Sequence, residues 1–438
     1  METSLVVFFA LVVAYTVYSL WLGRFSVTMP MIFVVVGAVI GAHGLGLFEY
    51  GLTSSSLETL TEVTLALLLF ADAVTLDFNK VKADAQLPTR LLVIGLPLTI
   101  LLGGLAAYTF FPLEGIGFAL LLGTILAPTD AALGLPIFNN PRVPVRIRRA
   151  LNVESGLNDG IASPLVVLFI ALELEQLTST GGNWVLSALS EITIGVVAGI
   201  LFGLAGGFLY RWAVERNLTS HTARQIGNPA LALLVYFAAG ALHGNGFVAV
   251  FMAGLLFGYT SRHLLHEATE YTEISGTLLS LFVWSLFGAA LVIPLLLQFN
   301  LQAFLFALLS LTVVRMLPVA IALIRTGVRP DTKLMMGWLG PRGLASVVFM
   351  LMAYEATHAA GLPTENLLAA AGWTILLSVF LHGLSALPLA NWYARRLETA
   401  DPQSPELLEL PEIPAKRKTM AGFHLPHRQA HSPEEMKN

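Results

Sequence analysis

Ala127-Pro128-Thr129-Asp130 and Glu154-Ser155-Gly156-Leu157-Asn158-Asp159-Gly160 set three carboxylates, with a Thr, a Ser and an Asn beside them, inside two otherwise apolar segments. A charged residue at the centre of a membrane helix costs about 2.5–3.5 kcal/mol on insertion scales. A chain that keeps several of them there uses them.

The rest of the chain is apolar enough to bury it. Of 438 residues, 56% are hydrophobic and 12% charged, against about 25% charge in a soluble domain, and mean hydropathy is +0.75. The chain is therefore an all-α polytopic membrane protein. A net charge of -4 gives no sign of a nucleic-acid partner. The absence of cysteine removes disulfides, thiolate metal sites and cysteine nucleophiles together. No cleavable leader is expected, because Glu2 stands where basic residues would be and the first apolar run is long enough to span.

Windows of about 20 apolar residues predict about thirteen spans, at 4–22, 28–47, 57–76, 91–112, 114–137, 151–173, 185–210, 229–243, 245–260, 272–298, 301–324, 335–356 and 366–393. The basic residues offer an independent check. Arg24 follows the first span, Lys80, Lys82 and Arg90 the third, and Arg142, Arg146, Arg148 and Arg149 the fifth. Arg211, Arg216 and Arg224 follow the seventh, Arg262 the ninth, Arg325, Arg329 and Lys333 the eleventh, and Arg395 and Arg396 the thirteenth. Loops after even-numbered spans carry no Lys or Arg. The positive-inside tendency then puts the amino terminus outside and the carboxyl terminus in the cytoplasm, in a cell (plasma or inner) membrane. Only Arg315 and Arg342 fall inside spans, and buried cations persist where an anion faces them.

Thirteen spans divide as six, a linker, and six. The fifth member of each half is interrupted, at Ala127-Pro128-Thr129-Asp130 and at Gly340-Pro341-Arg342-Gly343. Gly- or Pro-broken segments at corresponding positions of two halves point to the site of an inverted-repeat transporter. Proline leaves a carbonyl and an amide unpaired, and such groups survive at membrane depth where they line a cavity. Residues 399–438, rich in Pro, Glu and Ser, are expected to be a disordered cytoplasmic tail whose His424, His427 and His431 are incidental.

On the sixth span, residues four apart share a face, so Glu154 with Asn158 and Ser155 with Asp159 make one polar patch. Oxygen ligands of this kind suit hard cations, and without histidine a transition metal is not expected. Exchange requires a group that holds a proton or a metal ion but never both, and a buried carboxylate does this. Asp159 is the choice; Asn158 cannot titrate, and Glu154 is expected to be neutralised by a buried arginine. One proton would then move against one monovalent cation with no net charge. Asp130 either caps a half-helix, where a carboxylate satisfies free amides, or lines the ion path. Asp72 is either a rim residue or part of that path. Glu62 and Glu191 are expected at boundaries or helix contacts.

Taken together, Thr129-Asp130, Glu154-Ser155-Gly156-Leu157-Asn158-Asp159-Gly160 and Gly340-Pro341-Arg342-Gly343 resemble the monovalent cation:proton antiporter-1 family, the sodium/proton exchangers of NhaP type, over roughly residues 1–396. The resemblance implies a homodimer in the lipid bilayer that exchanges Na+ (or Li+, or in some members K+) for H+ without a cofactor and is not an enzyme. It implies a dimer part of about 1–76 and 229–298, a core part of about 91–173 and 301–393 with crossing broken helices, a linker helix at about 185–210, and an elevator-like shift of the core. It further implies that Asp159, Ser155 and the Thr129 carbonyl hold the cation, with Glu154, Asn158 and Asp130 as neighbours. Asn158 marks electroneutral members. Glu154 would pair with Arg315, with Arg342 close by. Phe70-Ala71-Asp72-Ala73 departs from the Phe-Glu-Ala-Gly of animal members, displacing the acid by one position. Two further readings are a K+/H+ antiporter of the same family and, from another class, an intramembrane aspartyl protease using two facing acids. Against the protease stand the missing Gly-x-Gly-Asp run and the Asn beside Asp159.

Overall fold

Helix follows helix through the computed structural model, which describes residues 2–23, 25–47, 55–76, 84–130, 132–134, 137, 140–178, 183–261, 266–399, 401 and 403–408. The elements are α1 (Glu2–Gly23), α2 (Met29–Ile40), α3 (Ser55–Val74), α4 (Gln86–Phe110), α5 (Gly115–Ile125), α6 (Val145–Thr178) and α7 (Trp184–Glu215). There follow α8 (His221–Ala241), α9 (Gly246–Ser261), α10 (266–297), α11 (Leu301–Ala322), α12 (Pro330–Trp338), α13 (Leu344–Ala359) and α14 (Glu365–Leu397). No strand occurs among the described residues. Among the described residues, 6 helices suffice by length and composition to cross a membrane, among them α4, α6, α7 and α14. Outward faces carry Val17, Leu201, Leu209 and Leu297, all largely exposed, as a hydrocarbon solvent permits.

The elements follow the apolar windows, with two instructive differences. Helix α6 starts at Val145 rather than 151, because Arg146 and Arg149 in its first turns are buried, a burial that a hydropathy window rejects. The tail, expected to be disordered from 399, instead forms a short 3₁₀ turn at Pro405–Leu407 with Glu406 fully buried. Residues 409–438, the three tail histidines, and Arg24, Lys80, Lys82 and Arg262 lie outside the described residues.

Helices α4 and α10 each contain one π-helical turn, at Leu91–Gly95 and Gly288–Val292, directly before Pro97 and Pro294. The wider turn makes room for a proline ring that would meet the carbonyl four residues back.

Helices α2, α3, α9 and α10 pack on one another, while α4, α5, α6, α11, α13 and α14 pack around both interruptions. The α7–α9 contact shows how closely backbones meet without a hydrophobic force in lipid. Gly195, Gly199, Gly203 and Gly207 recur every fourth residue along one side of α7, and a Cβ on Gly199 would stand 2.4 Å from the Ala249 carbonyl oxygen. Replacing Gly199 with Leu should overpack this contact at a cost of about 1–3 kcal/mol. The expected outcome is a lower midpoint in a detergent thermal melt, and an unchanged midpoint would show that α7 does not lean on α9 as described.

Candidate functional site

The two interruptions meet in the interior. Helix α5 stops at Ile125 and α12 at Trp338 because Pro128 and Pro341 cannot donate to the preceding turn and push the residue before them out of helical conformation. Residues 126–130 and 339–343 run past each other, joined where the Asp130 N–H donates to the Pro341 carbonyl at 2.8 Å. Each segment then serves the other's helix end. Asp130 Oδ2 accepts from the amide of Leu344, first residue of α13, at 3.3 Å, and its Oδ1 from Ala132 at 2.6 Å. In return Arg342 Nη1 donates to the Ala127 carbonyl at 3.0 Å and Ser346 Oγ to the Ile125 carbonyl at 2.8 Å, both at the end of α5. A carboxylate at a helix N-terminus and a guanidinium at a C-terminus both match the macrodipole. Gly343 makes the approach possible, since a Cβ there would lie 2.0 Å from the Asp130 Cβ.

Helix α6 lies against the first interruption. Ser155 Oγ donates to the Thr129 carbonyl at 2.6 Å, and Asn158 Nδ2 to Thr129 Oγ1 at 2.7 Å. Asn158 is fully buried, and its Oδ1 has no donor among the described residues. Leu151, Ser155 and Asp159 follow at four-residue intervals on one stripe of α6. A cavity of about 10 Å³, the space one water needs, is lined by Thr129, Asp130, Ile137, Leu151, Ser155 and Pro341 among others. Half-buried Asp159 stands one turn beyond that cavity on the same stripe.

The sequence pattern of the transmembrane region of sodium/hydrogen exchangers matches residues 7–392. The chain belongs to that family. A K(+)/H(+) antiporter NhaP from Alkalimonas amylolytica is 25% identical over 389 residues, covering 87% of this chain and 65% of the relative, so the chain spans under two-thirds of that protein's length. The Na(+)/H(+) antiporter NhaP of Pseudomonas aeruginosa is 30% identical over 364 residues, covering 76% of this chain and 81% of the relative. The structure of the sodium proton antiporter MjNhaP1 from Methanocaldococcus jannaschii superposes with a TM-score of 0.72 at 20% identity, covering 90% of this chain and 99% of that one. These relatives are transporters, not enzymes, and the protease reading gains no support from them.

Within this exchanger fold, the residues expected at the site divide into two groups. Thr129, Asp130, Ser155 and Asn158 are joined through the first interruption. Glu154 points elsewhere: its Oε1 accepts from Arg315 Nη1 at 2.7 Å, with both side chains almost wholly buried. The ion pair expected of Glu154 with Arg315 is present in the structure. Arg315 on α11 makes the bond and packs flush on Gly340, whereas Arg342 is spent on the end of α5. Asp130 serves α13 through Oδ2 and its own segment through Oδ1, and it also lines the cavity. Asp72 is half-buried on α3, a helix that packs against α6.

The sequence reading missed Ser378 and His382 on α14. Ser378 Oγ accepts from the Arg342 amide at 2.6 Å and lies 3.2 Å from His382 Nδ1, and the His382 ring is 4.9 Å from that of Trp338. A Ser and a His four apart in an apolar span was the available signal. For the ion pair, removing one buried partner costs about 3–5 kcal/mol, while an apolar pair of similar volume is close to neutral. Arg315→Met should therefore depress the thermal midpoint sharply, and Glu154→Leu with Arg315→Met should recover most of it. Additive losses in the double variant would contradict the pairing.

Proposed function

We propose that the chain is an electroneutral antiporter exchanging Na+ or Li+ for H+, with proton and cation competing for Asp159. The observation that carries this reading is the docking of Ser155 and Asn158 on Thr129 in the interrupted segment, with Asp159 one turn further on the same stripe. A hydroxyl, a backbone carbonyl, an amide oxygen and one carboxylate form a hard-oxygen set carrying a single negative charge. Such a set balances one alkali ion, and the same carboxylate balances one proton instead. Glu154 is held by Arg315 and stays out of the cycle. The crossing gives the site rigid walls, so access alternates by movement of the whole core, about 91–173 and 301–393, against a dimer part of about 1–76 and 229–298. In this reading the chain forms a homodimer in a cell membrane, crosses it thirteen times, and has its amino terminus outside.

A K+/H+ antiporter is the second reading, because relatives carry both ion names: K(+)/H(+) for the Alkalimonas protein and Na(+)/H(+) for the Pseudomonas one. In proteoliposomes with a trapped pH dye, Na+ and Li+ should dequench and K+ should not; the reverse order favours the second reading. Asp159→Asn should abolish exchange while leaving the protein folded, and retained exchange would remove Asp159 as the carrier. Clamping the membrane potential with valinomycin should leave the rate unchanged. A strong voltage dependence would overturn the one-for-one stoichiometry.

A further inference from the structure

After α14 ends at Leu397 the chain doubles back. Ser404 N donates to the Asp401 carbonyl at 2.8 Å and Leu407 N to the Ser404 carbonyl at 2.9 Å, closing the turn that carries Glu406 inward. Glu406 is 0% exposed. Its Oε1 accepts from the Arg329 amide at 2.6 Å and from Thr332 Oγ1 at 2.9 Å, and Thr332 Oγ1 lies 2.9 Å from the Tyr393 hydroxyl on α14. Arg329 is the residue that opens α12, and its own side chain does not cap the helix. A capping-box glutamate reaches back to this same amide from within its helix; here it arrives from 77 residues away. The Arg329 guanidinium is turned instead onto Asp331, at 2.7 and 3.0 Å, and this hydrogen bonding holds the Asp331 carboxyl below its usual range.

The same turn grips α6. The Pro405 carbonyl accepts from Arg146 Nη1 at 2.8 Å, while Nε and Nη2 of Arg146 hold Asp84 bidentately at 2.7 and 3.0 Å. One segment therefore ties the start of α12 to the start of α6 and the end of α14. Helix α12 has 9 residues, too few to be stable alone. Just beyond its other end, Leu339 and Pro341 line the cavity opposite Thr129 and Ser155.

We propose that Glu406 is a positioning residue: the docked segment 404–408 caps α12 from outside the helical bundle and so fixes the Leu339–Pro341 wall of the cation cavity against α6, making cation affinity depend on a part of the tail. This rests on the antiport reading above. Loss of the cap lets α12 fray and shift, which widens the cavity without touching the carboxylate of Asp159.

The test uses the full chain, Glu406→Ala, Glu406→Gln and a chain ending at Gln403, each checked by size exclusion. Amide hydrogen exchange is read across 330–338, and Na+ (or whichever cation the parent transports) is titrated in proteoliposomes. In Glu406→Ala and the shortened chain, exchange across α12 should quicken about five- to thirtyfold, the change in population that one lost cap produces. The apparent KM for the cation should rise severalfold with Vmax little altered, and Glu406→Gln, which keeps an acceptor oxygen, should stay near the parent. A purely structural role would lower Vmax through lost protein and leave KM alone, and that result overturns the proposal. So does unaltered exchange across α12 in Glu406→Ala, or quickened exchange with an unaltered KM. If the shortened chain fails to fold, the Ala and Gln variants decide. If the parent itself moves no cation, the antiport reading fails, and the proposal falls with it even where the exchange data establish the cap.

Discussion

Two helices stop inside an apolar interior, and each leaves unpaired backbone groups that water cannot reach. Unpaired, such groups are costly; here the two ends complete one another. Asp130 takes an amide from α13, Arg342 reaches the end of α5, and one backbone bond joins Asp130 to Pro341. The arrangement is reciprocal, so neither interruption is tolerable without the other. Everything else at the centre of the molecule is built against this crossing.

The crossing also explains the division of labour among the charges. Four ionisable groups at the crossing and beside it have structural duties: half-buried Asp130 and buried Arg342 cap helices, and buried Glu154 and Arg315 neutralise each other. Under the function proposed here, those duties keep them out of the competition for a proton or a cation, and Asp159 takes that role. Asn158 and Ser155 bind α6 to Thr129 with neutral groups, so the neighbourhood of Asp159 is held together without adding negative charge. A second carboxylate there would suit a divalent ion better than an alkali ion.

Rigidity reaches the site from further away as well. Arg342 is steadied by Ser378, which His382 adjoins on α14. Helix α12, the shorter partner in the crossing, begins at a cap supplied by Glu406. A short helix next to a binding cavity needs its ends fixed by something, and in this chain the residue that does so comes from the segment that follows the last helix.

Much was legible in the amino-acid order. Apolar windows located the helices, because a backbone in lipid must satisfy itself and does so within each helix. Pro128 and Pro341 marked the interruptions, because proline cannot continue a helix wherever it is placed. The Glu154-to-Asp159 run revealed the polar patch, because four-residue spacing puts side chains on one face of any helix. These are local rules, and the sequence alone satisfies them. Partnership across the fold is not local. Which arginine meets Glu154, which helix Asp130 caps, how Ser378 and His382 reach Arg342, and that Glu406 folds back onto α12 all depend on groups 36 to 214 positions apart becoming neighbours, from Arg342 with Ser378 at 36 to Asp130 with Leu344 at 214. Only packing in three dimensions decides those pairs, because a buried charge selects its partner by distance and direction rather than by place in the chain.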